Sequence, residues 1–169
     1  MKRIISFLFC VATLITFVHG TDLTVSAAAP TGSVPGNAMV KVSESTQQVA
    51  DDLLLVITTY EEVVSARATR YTKNGSRTYT MINNSGQTLW TFTIEATYTI
   101  TSGISSTCTS VTHSYQIYNS AWSYVRGSSY KSGNCAYGNA EFNRKLLGIV
   151  VETRNCDISL ACDVNGNFS

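Results

Sequence analysis

The chain is poor in charge. Lysine, arginine, aspartate and glutamate supply 14% of its 169 residues, against about a quarter in an ordinary globular domain. The signs nearly cancel, at a formal net charge of +1. If Lys2 and Arg3 leave with an N-terminal leader, ten basic residues face eleven acidic ones and the net charge is −1. Neither value suits a nucleic-acid binder, which needs a basic patch against phosphates, so no nucleic-acid partner is expected. No run of like charges marks a tail. Histidine is scarcer still. Once His19 is discounted as part of a leader, His113 is the only one. A histidine-based triad or a multi-histidine metal site would hang on that residue. The cysteines lack the C-x-x-C spacing of a zinc site. No motif for a cofactor is present and none is expected.

Long apolar runs are also missing, with one exception. Ile4 to Val18 is apolar apart from Ser6, Thr13 and Thr16, follows Lys2 and Arg3, and closes on His19-Gly20. This is the anatomy of a secretory signal peptide over residues 1–20, too short and wrongly flanked for a membrane span. Cleavage is expected after Gly20, with Ala27-Ala28-Ala29 the second choice. Phe9 before Cys10 argues against a lipoprotein signal. No second span or C-terminal anchor signal follows, so a secreted, extracellular product is expected.

What fills the chain instead is hydroxyl, amide and aromatic. Ser76 to Thr101 reads as a hairpin about Asn83-Asn84-Ser85-Gly86, whose residues tolerate the positive φ of tight turns. After it Trp90, Phe92, Ile94, Ala96, Tyr98 and Ile100 share one face; Thr91, Thr93, Glu95, Thr97 and Thr99 share the other. A period of two over this length predicts a half-buried strand. Thr107 to Tyr118 repeats the pattern, with Val111, His113, Tyr115 and Ile117 opposite Cys108, Ser110, Thr112 and Ser114. Ala121 to Tyr130 puts Trp122 and Tyr124 together. Cys135 to Phe142 and Gly148 to Thr153 flank a loop, Asn143 to Leu147. The last strand aligns Cys156, Ile158, Leu160, Cys162 and Val164. Turns are predicted at Lys73-Asn74-Gly75-Ser76, Asn119-Ser120, Lys131-Ser132-Gly133-Asn134 and Asn165-Gly166-Asn167.

Upstream, residues 21–46 hold both prolines and no sustained period, and read as a flexible leader. Val49, Leu53, Val56, Tyr60 and Val63 fall at helical spacing, predicting a short helix near Gln47 to Tyr60. The β-branched run from Leu53 to Thr59 competes for a strand, so residues 47–72 are a short helix or strand segment. The expected fold is all-β: an antiparallel β-sandwich of meander or Greek-key type over residues 73–169.

Residues 74–169 resemble small secreted bacterial β-sandwich proteins of uncharacterised function. The matching features are GSRTYTMINNSGQTLWTFTIEATYTI, SSTCTS, YNSAW, SYKSGN and CDISLACDVNGNFS, in that order. In that family one cysteine recurs in the SSTCTS position and one near the C-terminus, matching Cys108 and Cys162. Cys135 and Cys156 depart from it. The resemblance carries no catalytic residue. Four cysteines in a secreted chain read as two disulfides. A hairpin centred on Asn143–Leu147 would set Cys135 opposite Cys156, leaving Cys108 for Cys162.

Candidate chemistry is sparse. His113 shares a face with Val111, Tyr115 and Ile117, where a packed histidine is the plainer reading. Glu95, Glu141 and Glu152 show no spacing that fixes a glycosidase pair. Asp163-Val164-Asn165-Gly166-Asn167 has the oxygen-rich look of a calcium loop without its later Gly and Glu, so a turn is expected and no metal. Trp122, Tyr124 and Tyr130 are the candidate binding residues, because flat aromatics on a sheet stack on sugars or dock a partner. Exposed together, Trp122 and Tyr124 would favour binding; buried, they would fill a core. The expected function is a secreted, non-enzymatic binding or structural module for an extracellular protein or glycan. The alternative is a small secreted hydrolase or cell-wall-active factor.

Overall fold

The computed structural model describes residues 38–64 and 69–169. The expected signal peptide, its cleavage site and the leader as far as residue 37 lie outside them. Eight strands follow one another: β1 Met39–Ala50, β2 Leu53–Glu62, β3 Arg70–Asn83, β4 Thr88–Thr101, β5 Ser105–Ile117, β6 Trp122–Ser132, β7 Cys135–Leu146 and β8 Ile149–Ala161. All pairings are antiparallel, in a five-stranded sheet β1-β2-β3-β4-β5 and a three-stranded sheet β6-β7-β8. Each strand pairs only with its neighbours in sequence, so both sheets are meanders. No helix forms among the described residues, and none is long and apolar enough to cross a membrane.

The predicted central hairpin is present. β3 and β4 pair from Arg70↔Thr101 to Ile82↔Thr88, with Thr78 opposite Thr93. The apolar face of β4 is buried along its whole length: Trp90, Phe92, Ile94, Ala96, Tyr98 and Ile100. The three-stranded sheet brings Phe142, Ala136, Ala140, Ile158 and Leu160 to the same core, and Cys162, just past β8, joins them. Trp90 stacks on Phe142, with ring centroids 4.0 Å apart, and meets Trp122 edge-on at 6.2 Å. Side chains crowd Gly138, where Ile94 reaches over it from β4; a Cβ on residue 138 would overlap the Ile94 side chain. That explains a glycine inside a strand.

The sheets are joined on two sides, where β5 meets β6 and where β8 faces β3 and β1. On one, β5 and β6 are zipped by side chains. Tyr115 stacks on Tyr124 at 3.7 Å, His113 Nδ1 lies 3.0 Å from Ser129 Oγ, and Cys108 N–H donates to the Gly133 carbonyl at 2.9 Å. On the other, arginines cross. Arg77 donates to Thr59 Oγ1 and to the Ser159 carbonyl, and Arg154 donates to the Val49 carbonyl. The end near Tyr98 is closed by Phe168, which meets that ring edge-on at 5.3 Å.

Several expectations fail locally. There is no helix over Gln47–Tyr60. A turn at Asp51-Asp52 separates β1 from β2, and β2 is held between β1 and β3. The helical spacing of Leu53 and Val56 is overridden by that pairing, which buries Leu53 and Leu55 and turns Val56 to the opposite face. β1 also begins inside the stretch read as a leader, and β3 runs straight across the 72/73 boundary, so residues 39–62 belong to the same sheet as β3 to β5. Lys73 to Ser76 is strand, not turn, because Gly75 pairs with both Glu61 and Ala96. The loop at Asn143–Leu147 is strand as far as Leu146, and β8 is continuous where two strands were expected.

Candidate functional site

Alternation along β6, β7 and β8 sends small and apolar side chains inward and polar ones outward. The outward set falls in three rungs across the sheet. Arg126, Glu141 and Asn155 form the first; Ser128, Asn139 and Asp157 the second; Tyr130, Tyr137 and Ser159 the third. Neighbouring strands lie about 4.8 Å apart and successive outward residues about 6.8 Å apart, so the nine side chains form a small grid. The first two rungs line a shallow depression of about 510 Å³. The third lines a smaller one of about 230 Å³, and Asn139 and Asp157 line both.

Polar contacts fix this grid. Arg126 Nη2 lies 2.8 Å from Glu141 Oε2, and its Nε donates to the same oxygen at 3.0 Å. Ser128 Oγ donates to Asn139 Oδ1 at 3.2 Å. Tyr130 and Tyr137 are direct cross-strand partners whose rings stack at 4.9 Å and 13°. The neighbouring Cys135 thiol raises the Tyr137 phenol above its ordinary value. Donors, acceptors and an aromatic platform therefore share one open surface.

Of the three aromatics singled out from the sequence, only Tyr130 stands on this surface, at 55% exposed. Trp122 does not: it is 4% exposed and packs on Trp90 inside the core. Tyr124 faces the same way and is half-buried in the β5–β6 seam, between Tyr115 and Phe142; burial raises its pKa. The shared parity of Trp122 and Tyr124 was legible, and it points to the core. Tyr137, one of the flat aromatics of the sequence, stands here beside Tyr130; Asn139, Asn155 and Asp157 are the residues that sequence reasoning missed, although the period of two places them opposite Gly138, Cys156 and Ile158.

The remaining candidates separate. His113 sits in the β5–β6 seam, against Ser129 and the Phe92 ring. Glu95 lies on the outer face of the five-stranded sheet, in the rung of Ser76 and Thr112. Glu152 is held by Arg144 and Arg154. The Asp163 carboxylate is engaged within its own loop, accepting from Asn165 N–H, Asn167 N–H and Asn167 Nδ2. No cluster of three metal-ligating side chains forms among the described residues.

The cysteines depart from the expected pairing. All four described cysteines are free thiols. The β7–β8 register sets Cys135 opposite Ala161 and Cys156 opposite Ala140, so Cys135 and Cys156 are five residues out of register, about 17 Å along the strands, far beyond disulfide reach. Cys108 and Cys162 both flank the Gly133-Asn134 turn, donating to the Gly133 and Asn134 carbonyls respectively, and are unbonded. A bulge in β5 turns Cys108 to the core, off the hydroxyl face where alternation placed it. No protein-family model, curated protein or solved structure matches this chain.

Proposed function

We propose that this chain is a secreted, non-enzymatic glycan-binding module. In this reading its two sheets are the layers of a β-sandwich, as in the small secreted bacterial proteins it resembles, and the ligand surface is the outer face of β6, β7 and β8. One observation carries the proposal: the stacked Tyr130–Tyr137 pair stands beside a polar grid of Arg126, Ser128, Asn139, Glu141, Asn155 and Asp157. A sugar ring presents an apolar face to an aromatic and a rim of hydroxyls to side-chain amides and carboxylates, and this surface offers both at adjacent positions. The openness of the face suits a chain laid across it better than a small molecule enclosed in a pocket. The test is a glycan array and polysaccharide pull-down with the purified chain. Tyr130→Ala is expected to weaken capture by about tenfold with the melt nearly unchanged. Capture of no glycan at all, or capture indifferent to Tyr130→Ala and Asp157→Asn alike, rejects the assignment.

One observation favours a hydrolase instead. Glu141 and Asp157 are diagonal cross-strand neighbours on the same depression, about 7–8 Å apart at their Cα atoms, so two carboxylates share one open face, as a glycosidase requires. Against it, the Glu141 carboxylate is already occupied by Arg126 at 2.8 Å. Reducing sugar released by the native chain and not by Glu141→Gln would establish the enzyme.

A further inference from the structure

The β7–β8 hairpin carries an apolar tip. Leu146, Leu147, Ile149, Val150 and Val151 are all exposed, Leu147 at 95% and Ile149 at 70%. They lie beyond the rung in which Arg144 pairs with Glu152 and reaches Asp52 of the β1–β2 turn at 3.5 Å. Leu147 and Gly148 both take positive φ, 52° and 83°, the geometry of a two-residue turn that favours Asn-Gly. Leucine is a poor choice for that backbone and, at full exposure, for water. Its side chain meets nothing among the described residues that repays either cost.

We propose that this tip inserts shallowly into a lipid surface bearing anionic headgroups. Two features select lipid over a protein partner. The apolar side chains lie on β7, on β8 and on the turn itself, so they surround the tip; a second copy pairing along the open edge of β8 would leave Leu146 and Leu147 wet, whereas acyl chains cover every side. Inside the hairpin the backbone of the tip is paired through Lys145↔Val150 and Leu146↔Ile149, and the outer edge of β8 stays open, which keeps the insertion shallow, at the hydrated headgroup boundary. Lys145 follows Arg144 at the base of the tip, and its ammonium makes no ion pair among the described residues, leaving it for a headgroup phosphate. Such a device lies on the membrane and requires no span. It stands apart from the outer face of β6 to β8 and does not rest on the glycan reading.

Vesicle flotation of the full chain tests it, with phosphatidylcholine vesicles against phosphatidylcholine–phosphatidylglycerol vesicles. The native chain is expected to float with the mixed vesicles. Leu147→Asn with Ile149→Thr should lower its partitioning by about tenfold. Lys145→Gln should lower it by about fivefold on the anionic vesicles and leave the neutral ones unchanged. Leu147→Asn alone relieves the left-handed backbone, so it should weaken flotation while raising the melting temperature by about 3 °C; a loss of lipid binding is then not a loss of fold. Native protein that floats with neither vesicle overturns the proposal. So does flotation indifferent to the double substitution, which assigns lipid binding to another segment such as Ile4–Val18. A vesicle-independent dimer dissolved by the double substitution overturns it in favour of a second copy.

Discussion

The Cβ that Gly75 lacks would sit 2.6 Å from Cζ of Phe168. Gly75 is buried at the middle of a β3 rung, and the Phe168 ring lies over it, edge-on to Tyr98 and with the Lys73 ammonium 5.2 Å from its centroid. A residue near the C-terminus thus decides a residue ninety positions earlier. Gly75→Ala should destabilise by about 1–3 kcal/mol through overpacking. Phe168→Ala should cost about 2 kcal/mol of lost burial. In the double variant the first penalty should vanish, because the clash has no partner left. Urea melts of the four proteins measure the coupling. Strict additivity would show that the ring does not rest on Gly75.

Thiol reactivity should follow burial. Desolvation raises Cys108 and Cys162 and pushes Cys156, deep on β8 beside Asp157, up to about 12. At pH 8 a thiol of that pKa is thiolate in about one molecule in ten thousand, and thiolate is the reacting form. Cys135 is half-exposed. A pulse of iodoacetamide on folded protein, mapped by mass spectrometry, should label Cys135 first and Cys156 last. Labelling of Cys156 as fast as Cys135 would show that β8 opens.

Asp163 gives an acid-side signature. Hydrogen bonds from the Asn167 backbone, then from its side chain, and from the Asn165 and Gly166 backbones hold its carboxyl below the ordinary carboxylate range. A depressed folded-state pKa means stability that is present above the unfolded value, near 3.9, and lost as pH falls through the folded one. The C-terminal turn should therefore loosen below about pH 4, and Asp163→Asn should remove that pH dependence. Melting temperature against pH for both proteins is the measurement. Parallel acid limbs would exclude the Asp163 loop as a contributor.

How much of this was legible depended on whether a strand's own residues settled its place. β4 could be read residue by residue, because six alternating apolar positions leave one face to bury. β7 and β8 alternate as plainly, yet their register was unreadable: it hangs on a turn at Leu147-Gly148, and leucine gives no turn signal. Moving the turn centre by two residues, with the one-residue bulge at Arg144/Lys145, displaced Cys156 from Cys135 by five positions and, with it, the expected cystine. Gly75 misled in the opposite sense. Asn-Gly usually marks a turn, and here the glycine answers a ring brought by the far end of the chain. Cys108 was lost to one bulge, which reverses parity and leaves no trace in composition. The outer grid of β6 to β8 needed only alternation to find, but its polar residues become a surface only once three strands are aligned.

The meander order bears on how the chain acquires its structure. Every backbone pairing joins strands adjacent in sequence, through turns as short as Gly133-Asn134 and Leu147-Gly148. Loop-closure entropy is thus small at each step, and each sheet can zip hairpin by hairpin from a local nucleus, an advantage most all-β proteins lack. What remains non-local is the meeting of the two sheets, at Trp90 with Phe142, at Arg77 with Ser159, and at Gly75 with Phe168. The slow event in folding is then the docking of two nearly formed surfaces, and substitutions at those three contacts should govern its rate more than any change within a turn.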